Sequence, residues 1–503
     1  MKYCKRILVL CLVLSVLACQ NKPKGKSNMP NNRLNEPSSQ SIIFEKPTLT
    51  HYKSNKDYVI DLKLPSKIEF THSQDRIAKV IHIKLTGILF KPEEYRVSMG
   101  LLTSFHVQTN KGDSILTVSL KRPLRYTIEW KEGHTLSLTL KNIMSRTSIR
   151  PINKDVIDFH FKTFNVDLHN DLLIHMFMKN ISLSKGNPFT QCDMNRLQQG
   201  GTQALFFAIW VPDFFVKDQE KYHFYKHYFE KFKQYKGKPF QLALDLIAKL
   251  KEEVSKNDSI KIAMSSDDLI NNFKHKTKSA LMGMEGAHPL EGRIDRLKTI
   301  YDAGVRYIGI TWSNSNAFAD AAGYTEHGGL TPLGERLIKE MMKLGMLIDV
   351  SHLSDKAFYD IIKITQSDYP LIASHSNPRK LLDHKRNLSD DMIKAIQKSN
   401  GVISVVYHSG FLTKNRRATI EDVLDHIDYL VGKTSINHVA LGSDFDGFIK
   451  TPLGLENMSR LPNLTLGLYH RGYTFKDIEK ILGTNFLRVF KRVESLRHKD
   501  PGG

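Results

Sequence analysis

Cysteine is scarce in this chain: four in 503 residues, at Cys4, Cys11, Cys19 and Cys192. The first two belong to the N-terminal segment, which leaves only Cys19 and Cys192, too few for a disulfide framework to staple the mature fold. Acidic side chains are also short, 52 against 73 Lys and Arg, which gives a formal charge of +21. Such an excess of base raises nucleic acid as a partner. The sequence has no basic helix, zinc-finger spacing or aromatic RNA-binding signature, so nucleic acid is set aside. Anionic headgroups, acidic cell-wall material and a merely lysine-rich composition each account for the charge. Long hydrophobic runs are missing too: Ile7 to Leu17 is too short to span a bilayer comfortably. A chain of this length can instead build two domains whose cores stabilise themselves.

Lys2, Lys5 and Arg6 precede that apolar run, which ends Val16-Leu17-Ala18-Cys19. A basic start and a short apolar segment mark a targeting sequence. The closing tetrapeptide resembles the lipobox of bacterial lipoproteins. The resemblance implies a signal peptide over 1–18, a lipid on Cys19, and an exported lipoprotein anchored at a periplasmic or cell-surface face. A plain secretory signal is the alternative. Residues 19–41, rich in Asn, Pro, Ser and Lys, read as a flexible tether.

From 42 to 150 the hydrophobic period is two. Phe105 and Val107 alternate with polar residues, as do Leu116, Val118 and Leu120, then Tyr126, Ile128 and Trp130, then Leu136, Leu138 and Leu140. Turn sequences such as Asn110-Lys111-Gly112-Asp113 separate these runs, predicting a small antiparallel β-sandwich. Gly100 to Lys141 resembles the second half of AMIN-type domains, which implies peptidoglycan as a partner for 42–150; a structural spacer is the alternative.

From 158 to 498 the pattern changes to strand, loop and helix, repeated. Strands are expected at Phe164–Leu168, Ala204–Trp210, Ala280–Met284, Arg306–Thr311, Met346–Val350, Leu371–Ser374, Val402–Tyr407 and His438–Gly442. Pro332 to Leu344 reads as a helix with Thr331 as N-cap, Pro at the first position and Gly345 ending it. A helix from Thr474 to about His498 closes the series. Eight strands in such alternation predict an α/β fold, a (β/α)8 TIM-like barrel.

Metal-ligand residues gather at the ends of these strands. His169 and Asp171, in Asp167-Leu168-His169-Asn170-Asp171, are two apart and share one side of an extended backbone. Glu285 sits in Gly283-Met284-Glu285-Gly286, where small neighbours let ions approach, and its two oxygens can bridge two metals. His352 and His375 lie one strand–helix unit apart and so reach the same rim. Imidazole and carboxylate without thiolate suit Zn2+ in an open catalytic site. Two such ions hold a hydroxide between them and polarise a carbonyl. Asp444 and Asp446, after the last strand, add carboxylates: one can shuttle a proton, the other can cap a turn. Arg386 can clamp a substrate carboxylate.

These runs, with Arg386-Asn387, Asp444-Phe445-Asp446-Gly447 and Asn485-Phe486-Leu487-Arg488-Val489-Phe490 in the same order, resemble the membrane (renal-type) dipeptidase family. The resemblance covers about Asp158 to Arg497. It implies a dizinc metallopeptidase of dipeptides, with tolerance for a D-residue on the C-terminal side. It also implies His169, Asp171 and Glu285 on one zinc and Glu285, His352 and His375 on the other. Asp444 is then the proton carrier and Arg386 the carboxylate binder. One position departs: where the family carries Leu-Thr-His, this chain reads Ile310-Thr311-Trp312. Indole donates one hydrogen bond but cannot carry a proton. His288, His327 and His408 are the histidines that can replace the lost one, and His408 is assigned to substrate binding with Arg386.

The expected protein is therefore a membrane-anchored dizinc dipeptidase. The alternatives are a related amidohydrolase acting on another small amide and a catalytically weakened cell-wall-binding lipoprotein.

Overall fold

A computed structural model describes residues 43–44, 48–54, 57–64, 67–76, 79–86, 89–90, 93–99, 102–110, 113–120 and 126–140, then 153–212 and 232–497. Cys19, the signal segment and the tether lie outside the described residues. These fall into two compact units, one made of the strands up to Leu140 and one that begins at the helix Lys154–Lys162.

The first unit holds two antiparallel sheets. One orders Tyr126–Lys131, Thr135–Leu140, Asp57–Lys63 and Thr48–Ser54; the other orders Phe70–Asp75, Val80–Leu85, Asp113–Leu120, Leu102–Asn110 and Glu93–Met99. The period of two is visible in burial. Leu116, Val118 and Leu120 are inside with Ile81, Ile83 and Leu85, while their neighbours are half-buried or exposed. Alternation puts every second side chain on the core face of a sheet.

The second unit is a parallel barrel. Its strands are β1 (Val166–Asn170), β2 (Ala204–Trp210), β3 (Lys278–Glu285), β4 (Val305–Gly309), β5 (Leu347–Asp349), β6 (Leu371–Ala373), β7 (Val402–Val405) and β8 (Val439–Leu441), paired in that order. A short strand, Ile260–Ile262, adds to β3. Beyond β8 the chain returns to β1: Asp444 N donates to the His169 carbonyl at 2.9 Å and Asp171 N to that of Phe445 at 2.8 Å. Nearly every residue of these strands is buried, as expected where helices cover the outside and side chains fill the inside.

Local chemistry sets the helices. Thr331 Oγ1 accepts from Gly334 N at 3.0 Å, Pro332 opens the helix Pro332–Leu344, and Gly345 ends it at φ 65°. Leu337, Ile338 and Met341 make its buried stripe. The C-terminal helix starts at its Thr474 cap but contains a π turn, Lys480–Thr484, between Phe475–Glu479 and Asn485–Ser495. Gly483 lies in that turn, where an added Cβ would fall 2.6 Å from the Phe164 ring. The wide turn seats the phenyl ring. No helix among the described residues is long and apolar enough to cross a membrane.

Candidate metal centre

The C-terminal ends of the barrel strands bring every sequence-derived metal candidate to one place. His169 lies within β1 and Glu285 ends β3, while Asp171, His352, His375 and Asp444 follow β1, β5, β6 and β8. All six side chains are buried or nearly so. Ligand atoms of His169, Glu285 and His375 lie within 4.8 Å of one another, and so do those of His169, Asp171 and Asp444. His352 Nε2 stands 3.0 Å from Glu285 Oε1 and 2.9 Å from His375 Nε2. His352 and Asp444 reach inward from left-handed backbone, φ 70° and 61°. A non-glycine residue held there costs free energy, which the surrounding fold must supply.

Supporting groups fix which nitrogen of His169 and of His375 faces inward. Tyr307 Oη lies 2.8 Å from His169 Nδ1 and donates to the Leu168 carbonyl at 3.3 Å. With its proton committed there, the phenol oxygen accepts Nδ1–H and turns Nε2 of His169 towards the carboxylates. Ser374 Oγ donates to Asp349 Oδ2 at 2.6 Å and lies 2.7 Å from His375 Nδ1. His375 therefore also presents Nε2. Asp349 is held in turn by the Ser351 and Ser374 amides. Outer partners of this kind are what metal-bound histidines need. Sequence reading missed Tyr307, Asp349 and Ser374. The available signal was a carboxylate ending an apolar strand and a serine beside a ligand histidine.

The electrostatics ask for cations. Burial alone would push His169 down, but Glu285, Asp171 and Asp444 outweigh it and hold the imidazole up at about 10. Burial raises Glu285 to about 8 and, with Asp171 beside it, drives Asp444 well above the usual carboxylate range. Burial likewise drives His352 and His375 far down. Several carboxylates crowded out of water are stable only when protonated or neutralised by positive charge. His169 Nε2 is fully buried and makes no hydrogen bond, with Asp171, Glu285 and Asp444 oxygens 3.6, 3.7 and 4.0 Å away. The donor set thus fits a hard or borderline divalent ion of the zinc type.

A cavity of about 160 Å3 opens beside these ligands, and Arg386, His408, Trp312, Trp210, Phe411 and Phe448 are among its walls. Arg386 is buried, makes no ion pair among the described residues, and leaves Nε without a partner. Burial brings its pKa down to about 10, so it stays charged. His408 Nδ1 accepts from Gly410 N at 3.0 Å, and the ring packs 4.3 Å from Phe411. Burial, then Arg386, lowers His408 to about 4, so it is neutral with its proton on Nε2. His288 instead contacts the Val211 carbonyl, and His327 is bound to the Asn316 carbonyl and Asp320. Of the three candidate histidines, only His408 lines the cavity.

The two late aspartates separate by role. Asp444 faces the cavity and the ligands. Asp446 accepts from Gln191 N at 2.7 Å and Cys192 N at 2.9 Å, tying down that loop.

Residues 155–502 match the membrane dipeptidase family, peptidase family M19. The chain is 31% identical over 316 residues to a dipeptidase of Claviceps purpurea, covering 62% of this chain and 71% of that protein. It is also 31% identical to mouse dipeptidase 3, covering 67% of this chain and 66% of that one. Among solved structures, the metallo peptidase of Rhodobacter sphaeroides liganded with a phosphinate mimic of L-Ala-D-Ala superposes with TM-score 0.58 at 27% identity. That match covers 66% of this chain and 99% of that one. The probable dipeptidase PvdM of Pseudomonas aeruginosa, at 23% identity and TM-score 0.61, shares the fold over 69% of this chain and all of its own. With its strand-end ligands, its cavity and a match across the whole barrel, the chain belongs to the membrane dipeptidase family.

Proposed function

We propose that this chain is a metal-dependent dipeptidase that uses two zinc ions. The observation that carries this reading is the buried cluster of His169, Asp171, Glu285, His352 and His375 beside a cavity containing a guanidinium without an ion pair. His169, Asp171 and Glu285 would hold one ion, and Glu285, His352 and His375 the other. When bound, the ions supply activated water and polarise the scissile carbonyl.

The chain's own groups do the rest. Arg386 anchors the substrate's terminal carboxylate, a charge-assisted contact strengthened by burial. His408 offers its Nε2–H to the same carboxylate. Asp444 takes the proton from the attacking water and returns it to the leaving amine. Trp312, in the place where the family carries a histidine, donates its indole N–H towards the carbonyl oxygen.

The direct test is hydrolysis of L-Ala-D-Ala and L-Ala-L-Ala by the zinc-loaded full-length protein. Turnover should be lost with EDTA and fall roughly a hundredfold or more in Asp444→Asn. Two bound metals without turnover of any dipeptide would sink the reading. Trp312 favours a second one, in which N-acyl amino acids are hydrolysed in preference to dipeptides, and the same assay with those substrates decides between them.

Lipid on Cys19, export, and peptidoglycan binding through 42–150 belong to the same proposal. They are supported by the N-terminal sequence pattern and the alternating strands. Metabolic labelling with a fatty acid in Cys19→Ser, and pull-down on purified peptidoglycan with and without 42–150, test them.

A further inference from the structure

The cavity has two unlike walls. Arg386, His408 and Phe411 follow β6 and β7. Trp210 ends β2, which lies opposite β6 in a ring of eight strands paired in chain order. Around Trp210 the rings of Trp312 and Phe448 gather, with centroids 5.2 and 6.3 Å away. All three line the cavity, and Ile449 extends the apolar surface. The carboxylates that line it, Asp171, Glu285 and Asp444, all belong to the metal-binding cluster.

A substrate that places its carboxylate on Arg386 and its scissile carbonyl at the ligands must run its other end onto this aromatic wall. We propose that Trp210, Trp312 and Phe448 form the subsite for the residue on the N-terminal side of the scissile bond. The favoured substrates are then dipeptides whose first residue is large and apolar, above all aromatic. The physical basis is burial: a phenyl group moved from water onto apolar rings gains free energy in proportion to the area covered, with offset or edge-on ring contact adding to it. A small first residue leaves the wall wet and forgoes that gain. This inference rests on the dipeptidase reading and names the substrate class of the same site.

The test compares kcat/KM of the zinc-loaded full-length enzyme for L-Phe-D-Ala, L-Ala-D-Ala and Gly-D-Ala. We expect L-Phe-D-Ala to exceed Gly-D-Ala by on the order of tenfold or more, given what burying a phenyl group is worth. Trp312→Ala, at a half-buried position, should lower the rate on all three substrates, because the indole also donates to the scissile carbonyl, and should in addition compress that ratio several-fold. Equal rates on all three, or faster cleavage of Gly-D-Ala, overturn the subsite while leaving the dipeptidase reading intact. A preference for L-Phe that survives both Trp312→Ala and Trp210→Leu overturns the assignment to this wall. Absence of turnover on all three overturns the subsite together with the reading beneath it. The wild-type ratio is decisive by itself should either variant fail to fold.

Discussion

Tyr307→Phe isolates the contribution of an outer partner to metal binding. The ring is fully buried and fills the space above Gly283, where an added Cβ would come within 2.0 Å of it. Phenylalanine keeps that packing and removes one oxygen. The loss leaves Nδ1–H of His169 buried with no acceptor and the Leu168 carbonyl without this donor. An orphaned buried polar group costs about 1–3 kcal/mol. Loss of a group that orients a ligand histidine weakens metal binding roughly 10- to 100-fold. The assay is competition for zinc against a chelating indicator, with thermal melts at saturating zinc to confirm folding. Tyr369→Phe is the control: its buried phenol donates to the Met346 carbonyl at 2.9 Å, away from the ligands. It should lose comparable stability with unchanged zinc affinity. Zinc affinity of Tyr307→Phe within twofold of wild type would refute the assigned tautomer.

Three further outcomes follow from the same geometry. Removing metal with EDTA should lower the melting temperature, since ions at a thousand times their Kd stabilise by about 4 kcal/mol; calorimetry with and without zinc measures it. Arg386→Met should cut kcat/KM for dipeptides about a hundredfold, largely through KM, and spare the C-terminally amidated analogue. Its stability should hold or rise, because a buried guanidinium without an ion pair is expensive. His426, whose Nε2 donates to the Leu412 carbonyl, is held by burial at about 4 against an ordinary 6.5. A depressed histidine is protonated first in the unfolded chain, so stability is lost as pH falls from about 6.5 towards 4. Between pH 7.5 and 5 that amounts to about 2 kcal/mol, and urea titrations should show it shrinking in His426→Gln.

The barrel was legible because its strands are buried on both faces and stand out as apolar runs; β2 was expected at Ala204–Trp210 and is found there. The first strand was placed too early. It runs Val166–Asn170 because the pairing register with β2 shifts between Asp167 and Asn170, carrying His169 into the strand. A register irregularity is a tertiary property and leaves no mark in local periodicity. The C-terminal helix was legible at its Thr474 cap, whereas its π turn answers to Phe164, far away in the chain. The metal candidates announced themselves by residue type at strand ends. Tyr307, Ser374 and Asp349 did not, since a tyrosine, a serine and an aspartate acquire their role only from the histidine they touch. The aromatic wall stayed hidden for the same reason: Trp210 ends one strand, and Trp312 and Phe448 follow two others.

The residues of the candidate metal centre come from the first, third, fifth, sixth and eighth strands, and the seam between the first and last is closed by amides at Asp171 and Asp444 themselves. No single strand with the loop that follows it brings more of this cluster than one histidine and one carboxylate, a grip no better than that of a loose peptide. The full set of candidate ligands therefore forms only once strands far apart in the chain have come together. A metal ion filling this centre would then be taken up where the protein completes its fold, from whatever supply that compartment holds.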